Sequence, residues 1–471
     1  MIRIPDHIFR GYDLRGLVGS ELNDNTVMLL AKGYATWLIQ RKIYDCVIGY
    51  DCRISSPKFR DIFVKEMTDA GITVYDIGMT LTQICYFACY YFRTRGMVMI
   101  TASHNPKEYN GFKFGTGYSE TMLTEDIHVF RDLVKSENFL TRSVKGKCIK
   151  KDIKQDYIDD LMRRIDPIRK FKVVVDSCNG SAGIYLPDIL RQVDCEVIEQ
   201  NTKPDGNFPS GTPDPTESEV QERLARRVVK EKADLGFSYD TDGDRIGVVD
   251  EDGSLIWNDT LVALYSKDIL NSLPGSKIVY NTLCSKQVDD VIRASGGIPV
   301  MWMTGHSFIK AKVREERAPF GGELSGHIYF VDNFYGHDDG AIATLRLLAY
   351  LTKVKRSLKQ EVALLPHYIS SPEIKVGCPD KVKFEFVREK IGGEIKKLYP
   401  NVKYVEIDGV RMDTDEEMLI VRASQNGPYL TVKFEAKTQI AYNRLKQQVS
   451  DILHKFKEID FKSGVNTSSL T

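Results

Sequence analysis

Four short segments of this chain hold residue types and spacings that could do chemistry. The first is TASHNPKEYNGFKF, residues 101–114. The apolar run before it ends at Ile100 and reads as a strand, so Ser103 falls in the following loop. His104, Asn105, Pro106 and Gly111 keep that backbone irregular and exposed. Open α/β sheets gather reacting groups at the carboxyl ends of their strands, so a hydroxyl there could be a nucleophile. Lys113 could return to the same pocket. The competing reading is a polar turn in which Ser103 caps the next helix; the GxSxG of a serine-hydrolase elbow is absent. The second segment is DTDGDR. Asp240, Asp242 and Asp244 alternate, Gly243 permits a tight wrap, and Arg245 follows. Three hard oxygen donors so close together suit Mg²⁺. An EF-hand loop would begin similarly and would find Glu251 at its twelfth place, but Arg245 takes the sixth, which needs glycine, and the flanks read as strands. An acidic surface turn and the Asp-x-Asp loop of a haloacid-dehalogenase-type phosphatase also compete. The phosphatase would place its loop near the N-terminus, with Thr or Val at position 244.

The third segment, FGGELSGHIYF, presents Glu323, Ser325 and His327 at alternating positions. In an extended chain all three share one side, which suits the vicinal hydroxyls of a sugar. An ordinary polar hairpin is the alternative. The fourth, VRASQNGPYLTVKFEA, sets Arg422, Ser424, Gln425 and Asn426 in a loop closed by Gly427 and Pro428. A guanidinium with hydroxyl, amide and backbone donors makes a phosphate cradle, unless Arg422 is a solvated surface residue.

Elements that would position these segments can be read around them. DCVIGYD, ITVYDIG and GMVMI read as buried strands, and SPKFRDIFVKEMTDAG as a helix closed near Gly71. The pattern restarts at FKVVVDSCNGSAG, passes a Pro/Gly/Asp-rich loop, DGNFPSGTPDPTESE, and ends strand, loop, strand around DTDGDR. It restarts again at KIVYNTL and runs through DDVIRA to IPVMWM. Three such cycles predict three similar α/β units with mixed or parallel sheets. From about Ser370 the order becomes strand, helix, three strands, helix, a separate α+β unit in which KVGCPDKVKF and VNTSSLT read as surface segments. The expected domains are 1–150, 151–254, 255–368 and 369–471.

Bulk properties narrow the function. Lys plus Arg equals Asp plus Glu at 65 each across 471 residues, so no global field favours nucleic acid or an anionic membrane. Apolar residues are 42% and charged residues 28%, ordinary for a soluble enzyme. MIRIPDHIFRGYDLRG lacks the apolar core of a signal peptide, and no run is long enough to span a bilayer. Nine scattered cysteines, an odd number with no CxxC pair, read as buried free thiols in a reducing, cytoplasmic setting, and no Cys/His cluster has zinc spacing.

Taken together and in order, IFRGYDLRG, TASHNP, DTDGDR, MWMTGHSFIK, GGELSGH and RASQNGP resemble the α-D-phosphohexomutase superfamily, most closely its phosphomannomutase/phosphoglucomutase branch, over nearly the whole chain. The resemblance implies four domains, three α/β and one C-terminal, arranged as a heart around a central cleft. It implies that Ser103 is a phosphoserine, that Asp240, Asp242 and Asp244 bind Mg²⁺ with it, and that Glu323, Ser325 and His327 hold the sugar, Glu323 at O3 and O4. It assigns Arg422, Ser424, Gln425 and Asn426 to the non-reacting phosphate, and Tyr12, Arg15, His104, Lys113, Arg245 and His306 to further active-site positions, with His306 and Lys113 as proton shuttles. Phosphate would move between C1 and C6 of mannose or glucose through a 1,6-bisphosphate, glucose or mannose 1,6-bisphosphate serving as activator, in a monomer or dimer. The fourth domain would act as a lid. A phosphoglucosamine mutase, an Asp-loop phosphatase and a sugar-phosphate-binding paralogue without turnover are the alternatives. Three positions depart from the pattern: Gln425-Asn426 where Asn-Thr is usual, Leu283 where a Lys is usual, and SGTPDP where a His-bearing loop is common.

Overall fold

The computed structural model describes residues 4–425 and 427–470 of the chain. Apolar runs flanked by glycine and amphipathic helices favour parallel strands with both faces covered, and the first three sheets are built this way. In the first, strand Asp45–Tyr50 pairs in parallel with Thr73–Met79 and with Met97–Ile100. Strand Tyr109–Gly117 then returns antiparallel beside Met97–Ile100 and pairs on its far side with Leu14–Leu17. In the second, Lys172–Asp176 lies parallel to Glu196–Gln200 and Leu235–Tyr239, and Ile246–Val249 returns antiparallel. In the third, Lys277–Asn281 lies parallel to Ile298–Trp302 and Phe320–Gly322, and Ile328–Phe330 returns antiparallel.

The three sheets therefore share one topology, and the expected threefold cycle is present in it. In each, the third parallel strand is followed by an antiparallel return, and the loop expected to bear the chemistry is that turn. Ser103 follows Met97–Ile100, the Asp loop joins Leu235–Tyr239 to Ile246–Val249, and Glu323–His327 joins Phe320–Gly322 to Ile328–Phe330. Strands on both sides of the Asp loop rule out an EF-hand, which needs helices there.

The fourth sheet is antiparallel, with Glu417–Ala423 and Tyr429–Ala436 at its centre and helix Gln439–His454 among its packing partners. Of the two tail segments expected at the surface, residues 379–382 and 465–466 are exposed, while the start of the first and the end of the second are buried in this unit. Ile374–Gly377 pairs on both sides, and Leu470 is buried in its core. Their apolar positions alternate with lysine and small polar residues, which hid the buried face.

The aromatic run ICYFACYYF forms helix Thr82–Phe92, whose side chains from Ile84 to Cys89 are buried. Burying Ile84 and Phe87 stabilises by about 1.5–3 kcal/mol each. That helix joins a core that continues through the second and third sheets, so its N-terminus is firmly placed against the Asp loop. All nine cysteines are free, and eight are buried; Cys148 is exposed. No helix among the described residues is long and apolar enough to cross a membrane.

Candidate active site

Ser103 adopts φ +50°, a left-handed conformation that costs a non-glycine residue about 1–3 kcal/mol. The loop is held there by a residue the sequence did not single out. Arg53, 1% exposed and paired with Asp51 at 3.1 Å, donates to the carbonyls of Ser103 (2.7 Å), Asn105 (2.6 Å), Pro106 (2.8 Å) and Tyr109 (3.1 Å). The loop's tip, residues 106–108, is exposed as expected, but Ser103 itself is 1% exposed, because one guanidinium satisfies the carbonyls that water would otherwise bind. Ser103 caps no helix. Its hydroxyl donates to Asp240 Oδ2 at 2.7 Å and lies 3.2 Å from Nδ1 of His104. Arg15, paired with Asp13 at 2.8 Å, donates to Asn105 Oδ1 at 2.7 Å from the other side.

Asp240, Asp242 and Asp244 are fully buried. Gly243 (φ +70°) makes the wrap, and the first domain clamps it: Thr82 N donates to Asp242 O, Gln83 Nε2 to Gly243 O and Thr82 Oγ1 to Asp242 Oδ2. Lys113, opposite Met99 in the sheet register, reaches the carboxylates of Asp242 (2.9 Å) and Asp244 (2.5 Å). Burial opposes the ammonium, but Asp242 and Asp244 outweigh it and hold Lys113 well above its ordinary value. Lys113 here is a fixed cation. Burial and the neighbouring carboxylates push Asp240 well up, whereas Asp242, despite burial, is held low by Lys113. Oδ1 of Asp242 and Oδ1 of Asp244 are buried with no hydrogen-bond partner, and an oxygen from each Asp lies within 4.8 Å of the others. Crowded hard oxygens, two of them orphaned, fit a small divalent cation.

Arg245 Nε donates to Nε2 of His327 at 3.0 Å. An arginine can only donate, so that nitrogen accepts, and the ring's Nδ1 lies 2.9 Å from Asp338 Oδ2. Asp338 also takes Lys310 at 3.2 Å. His306 lies against the Tyr12 ring, edge to face at 4.7 Å, with neither ring nitrogen hydrogen-bonded. Burial, reinforced by Lys310, lowers its proton affinity well below the ordinary value. Gly305 supports Tyr12. At φ +139° a Cβ there would lie 2.7 Å from the ring.

The expected extended segment at Glu323 is instead a tight turn. Glu323 N donates to His327 O, Gly326 N donates to Glu323 O, and Gly326 takes φ +94°. Gly326, in a conformation glycine adopts without strain, favours the hairpin over alternation. Glu323 accepts Gly305 N at 2.8 Å and Tyr329 OH at 3.1 Å, and burial raises its proton affinity. Ser325 is half-buried at the turn's tip.

In the fourth segment Arg422 is buried and donates to Asp408 Oδ2 at 2.8 Å. Ser424 is buried, and Gln425 packs against Gly11, beside Tyr12, at the distance an added Cβ would meet at 3.5 Å. Asn426 lies outside the described residues. Asp408, which the sequence reading missed, also accepts Thr304 N (2.8 Å) and Thr282 Oγ1 (3.1 Å) and so ties this loop to the third domain. Leu283 is buried in the core, and its carbonyl accepts from Lys433; Lys286 is paired with Asp290. Two cations lie against this loop's backbone instead: Lys433 at the Leu283 carbonyl, and Arg411 at the carbonyls of Thr282 and Cys284.

Family profiles described as phosphoglucomutase/phosphomannomutase alpha/beta/alpha domains I, II and III match residues 6–140, 155–253 and 257–368 in order. The chain is 36% identical over 447 residues to a phosphomannomutase/phosphoglucomutase of Pseudomonas putida, covering 94% of each chain. It is 32% identical over 453 residues to a phosphoglucomutase of Neisseria gonorrhoeae, covering 96% of this chain and 98% of the relative. A crystal structure of a phosphoglucomutase/phosphomannomutase family protein from Burkholderia thailandensis superposes with a TM-score of 0.88 at 30% identity, covering 96% of this chain and 98% of that one. With its Ser103 loop, Asp loop and Glu323 turn on three successive matched domains, the chain belongs to the phosphoglucomutase/phosphomannomutase family.

Proposed function

We propose that the chain is a phosphomannomutase/phosphoglucomutase, an isomerase-class phosphotransferase that moves phosphate between C1 and C6 of a hexose. The observation that carries this reading is Ser103 Oγ hydrogen-bonded to Asp240 at 2.7 Å, beside two orphaned carboxylate oxygens. A hydroxyl buried against an acidic triplet is placed to carry a phosphoryl group next to a divalent cation.

Phosphoryl transfer depends on positioning and charge neutralisation more than on covalent help. Mg²⁺, held by Asp240, Asp242, Asp244 and the Ser103 phosphate, would neutralise charge on the group in transit. In the first half-reaction the Ser103 Oγ–P bond breaks as a bond forms from phosphorus to the free C1 or C6 oxygen, giving a 1,6-bisphosphate. The proton of that hydroxyl needs an unprotonated acceptor; His306, whose proton affinity is lowered by burial and whose ring nitrogens are both unbonded, is available for it. The second half-reaction returns the other phosphate to Ser103. Lys113 and Arg245 hold the reacting end, Glu323, Ser325 and His327 the sugar. Arg422, Ser424, Gln425 and Asn426 take the distal phosphate, with Tyr12, Arg15 and His104 completing the walls. Glucose or mannose 1,6-bisphosphate would prime Ser103. Domain cuts near 150, 254 and 368 accord with the matched spans, and free thiols throughout accord with a cytoplasmic setting.

The test is ³¹P NMR with Mg²⁺, a trace of glucose 1,6-bisphosphate and mannose 1-phosphate, with glucose 1-phosphate and glucosamine 1-phosphate in parallel. A 6-phosphate signal supports the reading and ranks the sugars, and Ser103→Ala should abolish it while leaving the fold intact. Inorganic phosphate, or full turnover in Ser103→Ala, would overturn it.

A further inference from the structure

Asp408 lies in the turn before strand Val410–Asp413 and is buried. Gly409 (φ +97°) presses this turn onto the strand that carries Arg422: an added Cβ would lie 2.3 Å from the carbonyl oxygen of Val421 and 2.7 Å from Cα of Arg422. The aspartate is thereby set beside the guanidinium, and one of its oxygens takes three bonds. Oδ2 accepts Arg422 Nε at 2.8 Å, the backbone N–H of Thr304 at 2.8 Å and the Thr282 hydroxyl at 3.1 Å. The first donor belongs to the fourth domain and the other two to the third. A guanidinium gripped at Nε has its plane fixed and can turn its Nη1/Nη2 edge to an anion.

The third-domain partners of Asp408 are themselves tied to the sugar turn. Thr304 directly precedes Gly305 and His306, and Gly305 N donates to Glu323 Oε1 at 2.8 Å. Asn281, next to Thr282, donates from Nδ2 to Thr304 Oγ1 at 3.1 Å and accepts Leu324 N through Oδ1 at 3.1 Å. The place of Arg422 is therefore referred to the Glu323 turn and to His306 through a single carboxylate oxygen. We infer that Asp408 is a positioning residue: it sets the spacing between two grips on the substrate, Arg422 on the distal phosphate and the Glu323 turn on the sugar, once the third and fourth domains meet. The inference rests on the mutase reading, which gives Arg422 and Glu323 these roles. A hexose phosphate held at both ends is bound well only when that spacing is fixed.

Asp408→Asn is the informative change, because the amide oxygen can still accept from Thr304 N while the charge beside Arg422 is lost. Glucose 1-phosphate is the probe, its affinity measured by titration calorimetry in full-length chains that all carry Ser103→Ala, so that nothing turns over. Asp408→Asn is expected to weaken binding about ten- to hundredfold, the span of a hydrogen bond to a charged group. Thr282→Val cuts only the third-domain side and leaves the Arg422–Asp408 pair whole; it should still weaken binding at least about threefold. On an Arg422→Met background Asp408→Asn should have little further effect. With Ser103 restored, Asp408→Asn should raise KM more than it lowers kcat, whereas a mere loss of folded protein would lower turnover and leave KM alone. Unchanged affinity in Asp408→Asn or in Thr282→Val, or full additivity of Asp408→Asn with Arg422→Met, would overturn the assignment. If affinity depends on Asp408 as expected while the wild type isomerises no hexose phosphate, Asp408 stands and the mutase reading falls; a chain that binds no glucose 1-phosphate would sink both.

Discussion

Replacing Arg53 by methionine keeps most of the side chain's bulk and removes the guanidinium that places Ser103. The lost bonds run to the carbonyls of Ser103, Asn105, Pro106 and Tyr109 at 2.6–3.1 Å, and Asp51 loses its ion pair. At about 1.5–3 kcal/mol per bond to a charged group, the four together would sum to roughly 6–12 kcal/mol. The loop can relax and let water reach some carbonyls, so the expected loss is nearer the about 3–5 kcal/mol of a broken buried pair. In a domain of this size that corresponds to a fall in Tm of roughly 6–20 °C. Turnover should fall by about a hundredfold even where the protein is folded, because Ser103 in its left-handed conformation drifts once its anchor is gone. The assay pairs thermal unfolding with ³¹P turnover well below the lowered Tm. Asp51→Asn added to Arg53→Met removes the uncompensated carboxylate, so the double variant should be more stable than the sum of the single losses predicts, with a coupling of about 0.5–3 kcal/mol. Strict additivity, or an Arg53→Met protein with native Tm and native turnover, would refute the claim that this one guanidinium positions the nucleophile.

Three further outcomes are expected. Asp242→Asn, which removes one carboxylate and loosens Lys113, should raise the Mg²⁺ concentration needed for half-maximal turnover by at least about tenfold; an unchanged Mg²⁺ titration would take Asp242 out of the metal site. Burial, with Lys310 and Arg164 nearby, drives His337 from an ordinary 6.5 down to about 3, so between those values the unfolded chain binds a proton that the folded one refuses. Stability from this group therefore falls as pH drops below 6.5, by about 2 kcal/mol at pH 5; urea unfolding of His337→Asn should show a shallower loss between pH 7.5 and 5 than the wild type, and parallel curves would contradict this. If the fourth domain acts as a lid, glucose 1-phosphate should slow hydrogen exchange at residues 424–430 and 8–16, where Gln425 meets Gly11. It should leave residues 282–286 unchanged, since Arg411 already fixes the carbonyls of Thr282 and Cys284. Uniform exchange with and without ligand would remove the lid.

The residues we assign to the chemistry were legible because chemistry restricts their types. Three alternating aspartates before an arginine, or a serine after an apolar strand, have few structural uses. The residues that hold them in place were not. Arg53 reads as one more arginine after a strand, and nothing in DCRISS tells that four carbonyls will converge on it from fifty residues away. Asp408 lies in an unremarkable turn and earns its role only once the third and fourth domains meet. The same limit explains the Glu323 segment. Alternating polar residues fit an extended chain and a hairpin equally, and the choice was made by Gly326 and by the strand Ile328–Phe330 pairing back on Phe320–Gly322.

The shared topology supplies the connection between these two kinds of residue. A parallel strand followed by an antiparallel return leaves a short, sharply bent loop at the sheet's carboxyl edge, and such a loop exposes backbone carbonyls and strains its residues. Each of the three loops is braced by neighbours beyond its own internal bonds: the Ser103 loop by Arg53, the Asp loop by Thr82 and Gln83 of the preceding domain, and the Glu323 turn by Gly305 and Tyr329. The cations follow the same rule, with Arg15 on Asp13, Lys113 on Asp242 and Asp244, and Arg422 on Asp408. A chain with no net charge attracts a dianionic phosphate only through such local arrangement. In the proposed mechanism, pairs fixed before the substrate arrives need little reorganisation as the phosphoryl group moves, and the burial of these cations beside carboxylates meets that requirement.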